Sequence, residues 1–222
     1  VRSCRTIQGG QPFLAGAQPR LLHRSSQWRI LADFLPPKSR KDIPMGLHLV
    51  PAGRNVPDEI NVIIEIPKDA EPVKYEVDKE SGAIFVDRIL STPMRYPCNY
   101  GYVPGTLGGD GDPLDALVIL PLPLTVGAVI RCHPVGMLKM TDEAGSDEKL
   151  LVIPSPKVFP GYAHISDIKG VSPHWLERIG HFFEHYKDLE KGKWVKVEGW
   201  EGAEAAKAEI LAGVARYKVS KA

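Results

Sequence analysis

Cysteine is scarce in this 222-residue chain: there are three, Cys4, Cys98 and Cys132, far apart, odd in number and without CxxC spacing. That pattern argues against a disulfide framework or a zinc ribbon and suits a reducing, cytoplasmic compartment. Long apolar runs are also missing. None reaches the ~18 residues of a membrane span, so no membrane partner is expected. Net charge is nearly absent, at +1, but it is unevenly spread. Residues 1–44 hold eight Lys/Arg against two acids, about +6, which leaves about −5 on the remainder. An acidic body is a poor general nucleic-acid binder, because neutralising phosphates needs a basic face. What abounds is Gly and Pro, 21 and 20 residues, the composition of many turns and short strands rather than of a helical bundle.

Residues 1–44 show no sustained period of 3.6 or 2 and are rich in Arg, Ser, Gln, Gly and Pro. The chain begins with Val, and Met45 sits where patterned sequence starts. Two readings follow: a non-native or misassigned start, or an Arg- and Ser-rich targeting segment. Either way a poorly ordered basic extension is expected over 1–44, with at most a short amphipathic helix over 27–35, and the folded domain over 45–222.

The densest chemistry lies in Asp110-Gly111-Asp112-Pro113-Leu114-Asp115, three carboxylates within six residues. Like charges held this close repel one another. A solvated acidic turn is the plain reading, but an apolar run, Ala116-Leu117-Val118-Ile119-Leu120, ties this turn to a core strand. Gly108, Gly109 and Gly111 let the backbone curl, and Pro113 stiffens the exit. A rigid turn of carboxylates needs a cation, and all-oxygen ligands favour a hard one such as Mg²⁺, Mn²⁺ or Ca²⁺. An EF-hand is rejected: its Gly and Glu positions, counted from Asp110, hold Asp115 and Pro121.

Before this turn, Asn61 to Ile66 alternates, with Val62, Ile64 and Ile66 expected on one face and Glu65 on the other. Val73 to Val77 and Ala83 to Arg88 read as a hairpin turned at Ser81-Gly82, with Lys74 and Glu76 on one face and Arg88 on the opposite strand. Residues 92–105 read as a Pro/Gly-rich loop carrying Tyr96, Tyr100 and Tyr102, whose hydroxyls need partners if buried. After the turn, Val129–His133 and Val135–Met140 read as two strands. A second acidic cluster, Asp142-Glu143-Ala144-Gly145-Ser146-Asp147-Glu148-Lys149, precedes a strand over Leu150–Ile153. Both acidic clusters thus fall at strand ends, and in an antiparallel barrel such ends can meet.

Ser172-Pro173 opens a helix by N-cap and N1 proline. Trp175, Leu176, Ile179, Phe182, Phe183 and Tyr186 form its broad apolar face, and it is expected to end near Gly192. Trp194 to Trp200 reads as a last strand and 203–218 as an Ala-rich helix. Within the first helix, His181-Phe182-Phe183-Glu184-His185 matches the H-x-x-E-H zinc-protease pattern. Phe182 and Phe183 fit the core stripe instead, and few residues remain to supply the further acidic ligand. Surface, subunit-contact or satisfied polar roles suit these histidines better. Strands followed by helices imply an α+β fold, and five to seven short strands with Gly/Pro corners imply a small closed barrel.

Together, Ile64-Glu65-Ile66-Pro67, Ile84 to Arg88, Tyr96 to Tyr102, Asp110 to Asp115, Met140 to Gly145 and His181 to Lys187 resemble soluble inorganic pyrophosphatase of family I, in its bacterial form. The resemblance runs from about Met45 to near the C-terminus. It implies an OB-like barrel of about five core strands with flanking C-terminal helices, and hydrolysis of diphosphate to two phosphates with three or four Mg²⁺ ions. By motif match, Asp110, Asp115 and Asp147 resemble the principal metal ligands, and Asp142 and Glu65 resemble ligands of the ions that arrive with substrate. Asp112 matches the general base. Lys74, Arg88, Tyr100, Tyr186 and Lys187 match phosphate-binding positions, with Lys149 beside them and Glu76 in support. A homohexamer is implied as well. The runner-up is an OB-type nucleic-acid module without catalysis, which requires a basic groove with stacking aromatics.

Overall fold

The structure, a computed structural model, describes residues 46–221. The expectations for residues 1–44 lie outside them. In chain order the elements are β1 (Ile60–Ile66), β2 (Val73–Val77), β3 (Ile84–Ile89), β4 (Asn99–Tyr102), β5 (Asp115–Val118), β6 (Val129–Asp142), β7 (Gly145–Ser146), β8 (Lys149–Pro154), α1 (Pro173–His185), β9 (Val195–Gly202) and α2 (Ala203–Ser220). Five strands close into a ring, β1–β4–β5–β8–β6, because β6 pairs with both β8 and β1. Only β5–β8 is parallel within that ring. β9 extends the sheet from β6, and β2–β3 stands apart as a two-stranded hairpin. The expected OB-like α+β architecture is what forms.

The continuous apolar runs have a physical reason. Successive strand residues point to opposite faces, so a strand buried on both faces needs apolar residues throughout. Ala116, Val118, Leu150 and Val152 enter one cluster, which Ala206 and Ile210 of α2 join. Leu117, Leu151 and Ile153 enter a second, with Ile179, Phe182 and Phe183 of α1. The α1 stripe therefore faces the core as its spacing requires.

Five expectations change. Residues 99–102, read as loop, form β4 between β1 and β5. Its backbone must pass very close to β1: a Cβ on Gly101 would lie 1.9 Å from the Ile63 carbonyl oxygen. Glycine is needed there, and the same residue disguises the strand. The two strands around Pro134 are one, β6, with a register shift between Pro134 and Gly136 that bends it without breaking it. α1 ends at His185, followed by turns, rather than near Gly192, and Trp194 falls outside β9. Finally, Ile66 leaves the face of Val62 and Ile64 for the other cluster, because the β1–β4 register shifts between Ile64 and Ile66. Ser172 does occupy the N-cap of α1 before Pro173, but its hydroxyl makes no capping bond.

Candidate active site

That shift in β1 sets up the site. Ile64 pairs with Gly101 and Ile66 with Tyr100, so Glu65 is an extra residue without a ladder partner. Bulges of this kind re-aim a side chain, here into a cavity. The carboxylate is buried, accepts from the Val77 N–H at 2.8 Å and receives the Lys79 ammonium at 3.2 Å. Burial raises its pKa, and Lys79 opposes that rise. A second bulge does similar work in the hairpin. Lys74 faces Arg88 while Tyr75 faces Val86, which leaves Asp87 as the extra residue, 3.1 Å from the Lys74 ammonium. Lys74 also pairs with Glu76.

The acidic turn is held from outside itself. The Thr106 hydroxyl, fully buried, donates to the Val103 carbonyl at 2.6 Å and accepts from the Leu114 N–H at 3.0 Å. Gly108 N–H donates to the Asp112 carbonyl, and Asp112 N–H to the Asp110 carboxylate. Gly111 takes φ +94°, open to glycine at no steric cost. α2 grips the start of the turn: Arg216 Nε donates to the Leu107 carbonyl at 2.7 Å, and Leu107 N–H to the Gly213 carbonyl at 3.0 Å.

The second acidic cluster arrives through the β5–β8 pair. Asp115 and Lys149 are register partners, and the Lys149 ammonium lies 2.6 Å from Asp115 and 2.9 Å from Asp147. Lys149 is almost wholly buried. Burial works against its charge, but Asp115 and Asp147 outweigh that and hold its pKa above the ordinary lysine value. Just beyond α1, Lys187 donates to Asp142 at 2.7 Å, an interaction that overcomes burial and lowers the Asp142 pKa. Tyr186 packs on Phe182, with ring centroids 5.3 Å apart, and on Phe183 at 5.6 Å.

All thirteen site residues expected from sequence line a single cavity of about 640 Å³: Glu65, Lys74, Glu76, Arg88, Tyr100, Asp110, Asp112, Asp115, Asp142, Asp147, Lys149, Tyr186 and Lys187. Eight carboxylates and five cationic side chains share its wall, a surplus of three negative charges. Asp112 shows the consequence: burial first, then repulsion from Asp110, Glu76 and Asp115, raises its pKa. Asp147 is raised too, chiefly by burial. Crowded carboxylate oxygens with raised pKa values fit hard divalent cations, which relieve that repulsion. As the side chains stand, no three acidic, His or Cys residues among those described close into one metal shell. Lysine ammonium groups lie between them instead.

The family model described as inorganic pyrophosphatase matches residues 62–218. The chain belongs to the inorganic pyrophosphatase family. It is 73% identical to the inorganic pyrophosphatase of Xanthomonas campestris over 173 residues, 78% of this chain and 97% of that protein. It is 62% identical to that of Escherichia coli over 174 residues, 78% of this chain and 99% of that protein. The crystal structure of inorganic pyrophosphatase from Thermus thermophilus matches with a TM-score of 0.74 at 43% identity, over 78% of this chain and 99% of that one.

Within this family frame, sequence reasoning gave no site role to Lys79, Asp78 or Phe85, which also line the cavity, and named Tyr96 and Tyr102, which line it too, only as loop tyrosines beside Tyr100. The tyrosines carried a signal, standing in the same run as Tyr100. Lys79 carried none: a lysine in a polar hairpin tip reads as solvated. The histidines of the zinc-protease pattern lie away from this cavity. Their rings are 4.5 Å apart, and His185 Nδ1 is 2.9 Å from Asp188. No helix among the described residues is long and apolar enough to cross a membrane.

Proposed function

We infer that the protein hydrolyses inorganic diphosphate to two orthophosphates. The observation that carries this is the cavity in which clustered carboxylates face Lys74, Arg88, Lys149 and Lys187. A diphosphate is a compact polyanion, which the surplus of carboxylates alone would repel. Glu65, Asp110, Asp115, Asp142 and Asp147 would hold divalent ions, Mg²⁺ by chemistry, three or four of them by resemblance. When bound, such ions lower the pKa of water and cancel phosphate charge.

The chain's own residues then divide the work. Asp112, between Asp110 and Asp115, takes a proton from the attacking water at its carboxylate, for which a raised pKa suits a base. Lys74 and Arg88, register partners on the hairpin, bind phosphate oxygens from one wall. Tyr100, Tyr186, Lys187 and Lys149 bind them from another, and Glu76 positions Lys74. In-line positioning and charge cancellation supply the rate. Losing one such contact is expected to cost about 2.7–4 kcal/mol of barrier, by analogy with a lost oxyanion donor. A nucleic-acid module is disfavoured by the same surplus of negative charge.

The deciding experiment is phosphate release from diphosphate with Mg²⁺, for wild type and Asp112→Asn together. Strong wild-type activity that collapses in the variant, with metal binding largely kept, supports the reading. A folded, Mg²⁺-loaded wild type without activity overturns it. Cytoplasmic location and a homohexamer complete the proposal. Sedimentation as a monomer at working concentration contradicts the hexamer.

A further inference from the structure

Lys79 is the one cationic side chain of the cavity with no role so far. It sits in the tip joining β2 and β3, a turn tied down by Ser81, whose N–H donates to the Asp78 carboxylate at 2.7 Å, and by Gly82 N–H to the Asp78 carbonyl at 2.8 Å. A lysine at such a tip has every reason to extend into water, since ordering a long side chain costs rotamer entropy. This one folds inward. Its ammonium lies 3.7 Å from the centroid of the Tyr102 ring and 3.2 Å from Glu65 Oε1. Two independent attractions hold it there: the negative face of a buried aromatic ring and a buried carboxylate. The ring is rigid, because Tyr102 belongs to β4 and packs with Ile63 and Val77.

We propose that Lys79 is a positioning residue that reserves Glu65: its ammonium competes with a divalent ion for this carboxylate and yields it only when a phosphate anion draws the ammonium away. The proposal rests on the reading that Glu65 holds such an ion. Glu65 Oε1 is already occupied by the Val77 N–H and by Lys79. A second cation approaching that oxygen meets an ammonium within contact range, and the two repel strongly at low dielectric. Lys79 keeps 43% of its side chain exposed, so it has room to swing from Glu65 into the cavity. An anion there offers a stronger partner than the neutral ring. The Lys79–Glu65 pair thereby makes ion binding at Glu65 depend on prior arrival of phosphate.

The test is Mn²⁺ binding by calorimetry to wild type, Lys79→Met, Lys79→Arg and Lys79→Met with Glu65→Gln, each with and without inorganic phosphate. Circular dichroism and thermal melting show that each variant is folded. Without phosphate, Lys79→Met is expected to bind one more Mn²⁺ than wild type, or to bind its weakest ion about tenfold more tightly, the scale of one neighbouring charge in a partly solvated site. Phosphate is expected to erase the difference. Lys79→Arg keeps the charge and behaves as wild type, and the added Glu65→Gln removes the extra ion. A purely structural lysine would leave the isotherms unmoved. Isotherms for Lys79→Met that match wild type, or that show weaker Mn²⁺ binding, overturn the proposal. Wild-type diphosphate hydrolysis, measured alongside, separates that failure from failure of the proposed function.

Discussion

Asp115 and Lys149 face each other across the parallel β5–β8 pair, with Nζ 2.6 Å from Oδ2, and the same ammonium reaches Asp147 at 2.9 Å. One buried cation thus joins the two acidic clusters, which are distant in sequence. Lys149→Met would leave two carboxylates, each still partly solvated, without a counter-ion. Breaking a buried pair from one side is costly, and roughly 3 kcal/mol of stability should be lost, the low end of the range for such pairs. Urea denaturation without divalent ions measures that loss. Saturating Mg²⁺ should recover part of it, because a ligand of the native state stabilises by mass action.

Thr106 lies outside the acidic turn but ties its far end, at Leu114, to Val103. Thr106→Val keeps the shape, yet leaves the Leu114 N–H without its acceptor and the Val103 carbonyl without this donor. A buried unsatisfied group costs about 1–3 kcal/mol. The urea midpoint should fall accordingly. Diphosphate hydrolysis should fall further than stability explains, because Asp110, Asp112 and Asp115 lose their fixed geometry.

Phe182 connects the core to the cavity wall. Its ring centroid is 4.6 Å from that of Tyr96 and 5.3 Å from that of Tyr186. Phe182→Ala should cost about 3–5 kcal/mol, the usual range for a buried ring. In the folded fraction, kcat should fall because Tyr186 and the following Lys187 lose their backing. Thermal melting with single-turnover phosphate release separates the two effects.

Asp167 supplies the pH test, away from the cavity. Its carboxylate accepts from the Ala203 N–H at 2.9 Å, at the start of α2, and from the Lys169 N–H at 3.2 Å. The Ala203 bond comes first in lowering its pKa. A lowered folded-state pKa contributes stability that is complete above the unfolded value, near 3.9 for Asp, and is lost as pH falls through the folded value. Asp167→Ala should therefore be less stable than wild type at pH 6. The gap should close as the pH drops below about 4. A gap that stays constant across acid denaturation curves would remove the cap from the account.

Much of this was legible in the chain. The apolar runs at 116–120 and 150–153 read as core strands, and both are buried. The α1 stripe, with its proline at N1, read as a helix and is one. The cavity residues were legible through ordered motifs rather than through periodicity. β4 was not, because Gly101 and the surrounding prolines carry loop chemistry while the ladder bonds come from β1 and β5. The end of α1 was missed because Tyr186 and Lys187 continue its polarity pattern after the backbone has left the helix.

Sequence alone determined the chemistry of the cavity wall, since residue type decides which groups carry charge and which prefer the core. It also determined the family, because ordered motifs survive without coordinates. Tertiary structure decided where each charge points. The bulges at Glu65 and Asp87, the insertion of Lys149 between two carboxylates and the inward turn of Lys79 all depend on strand register. Register is set by which strands pair and by what they bury, a property of contacts between distant segments that no local stretch of sequence contains.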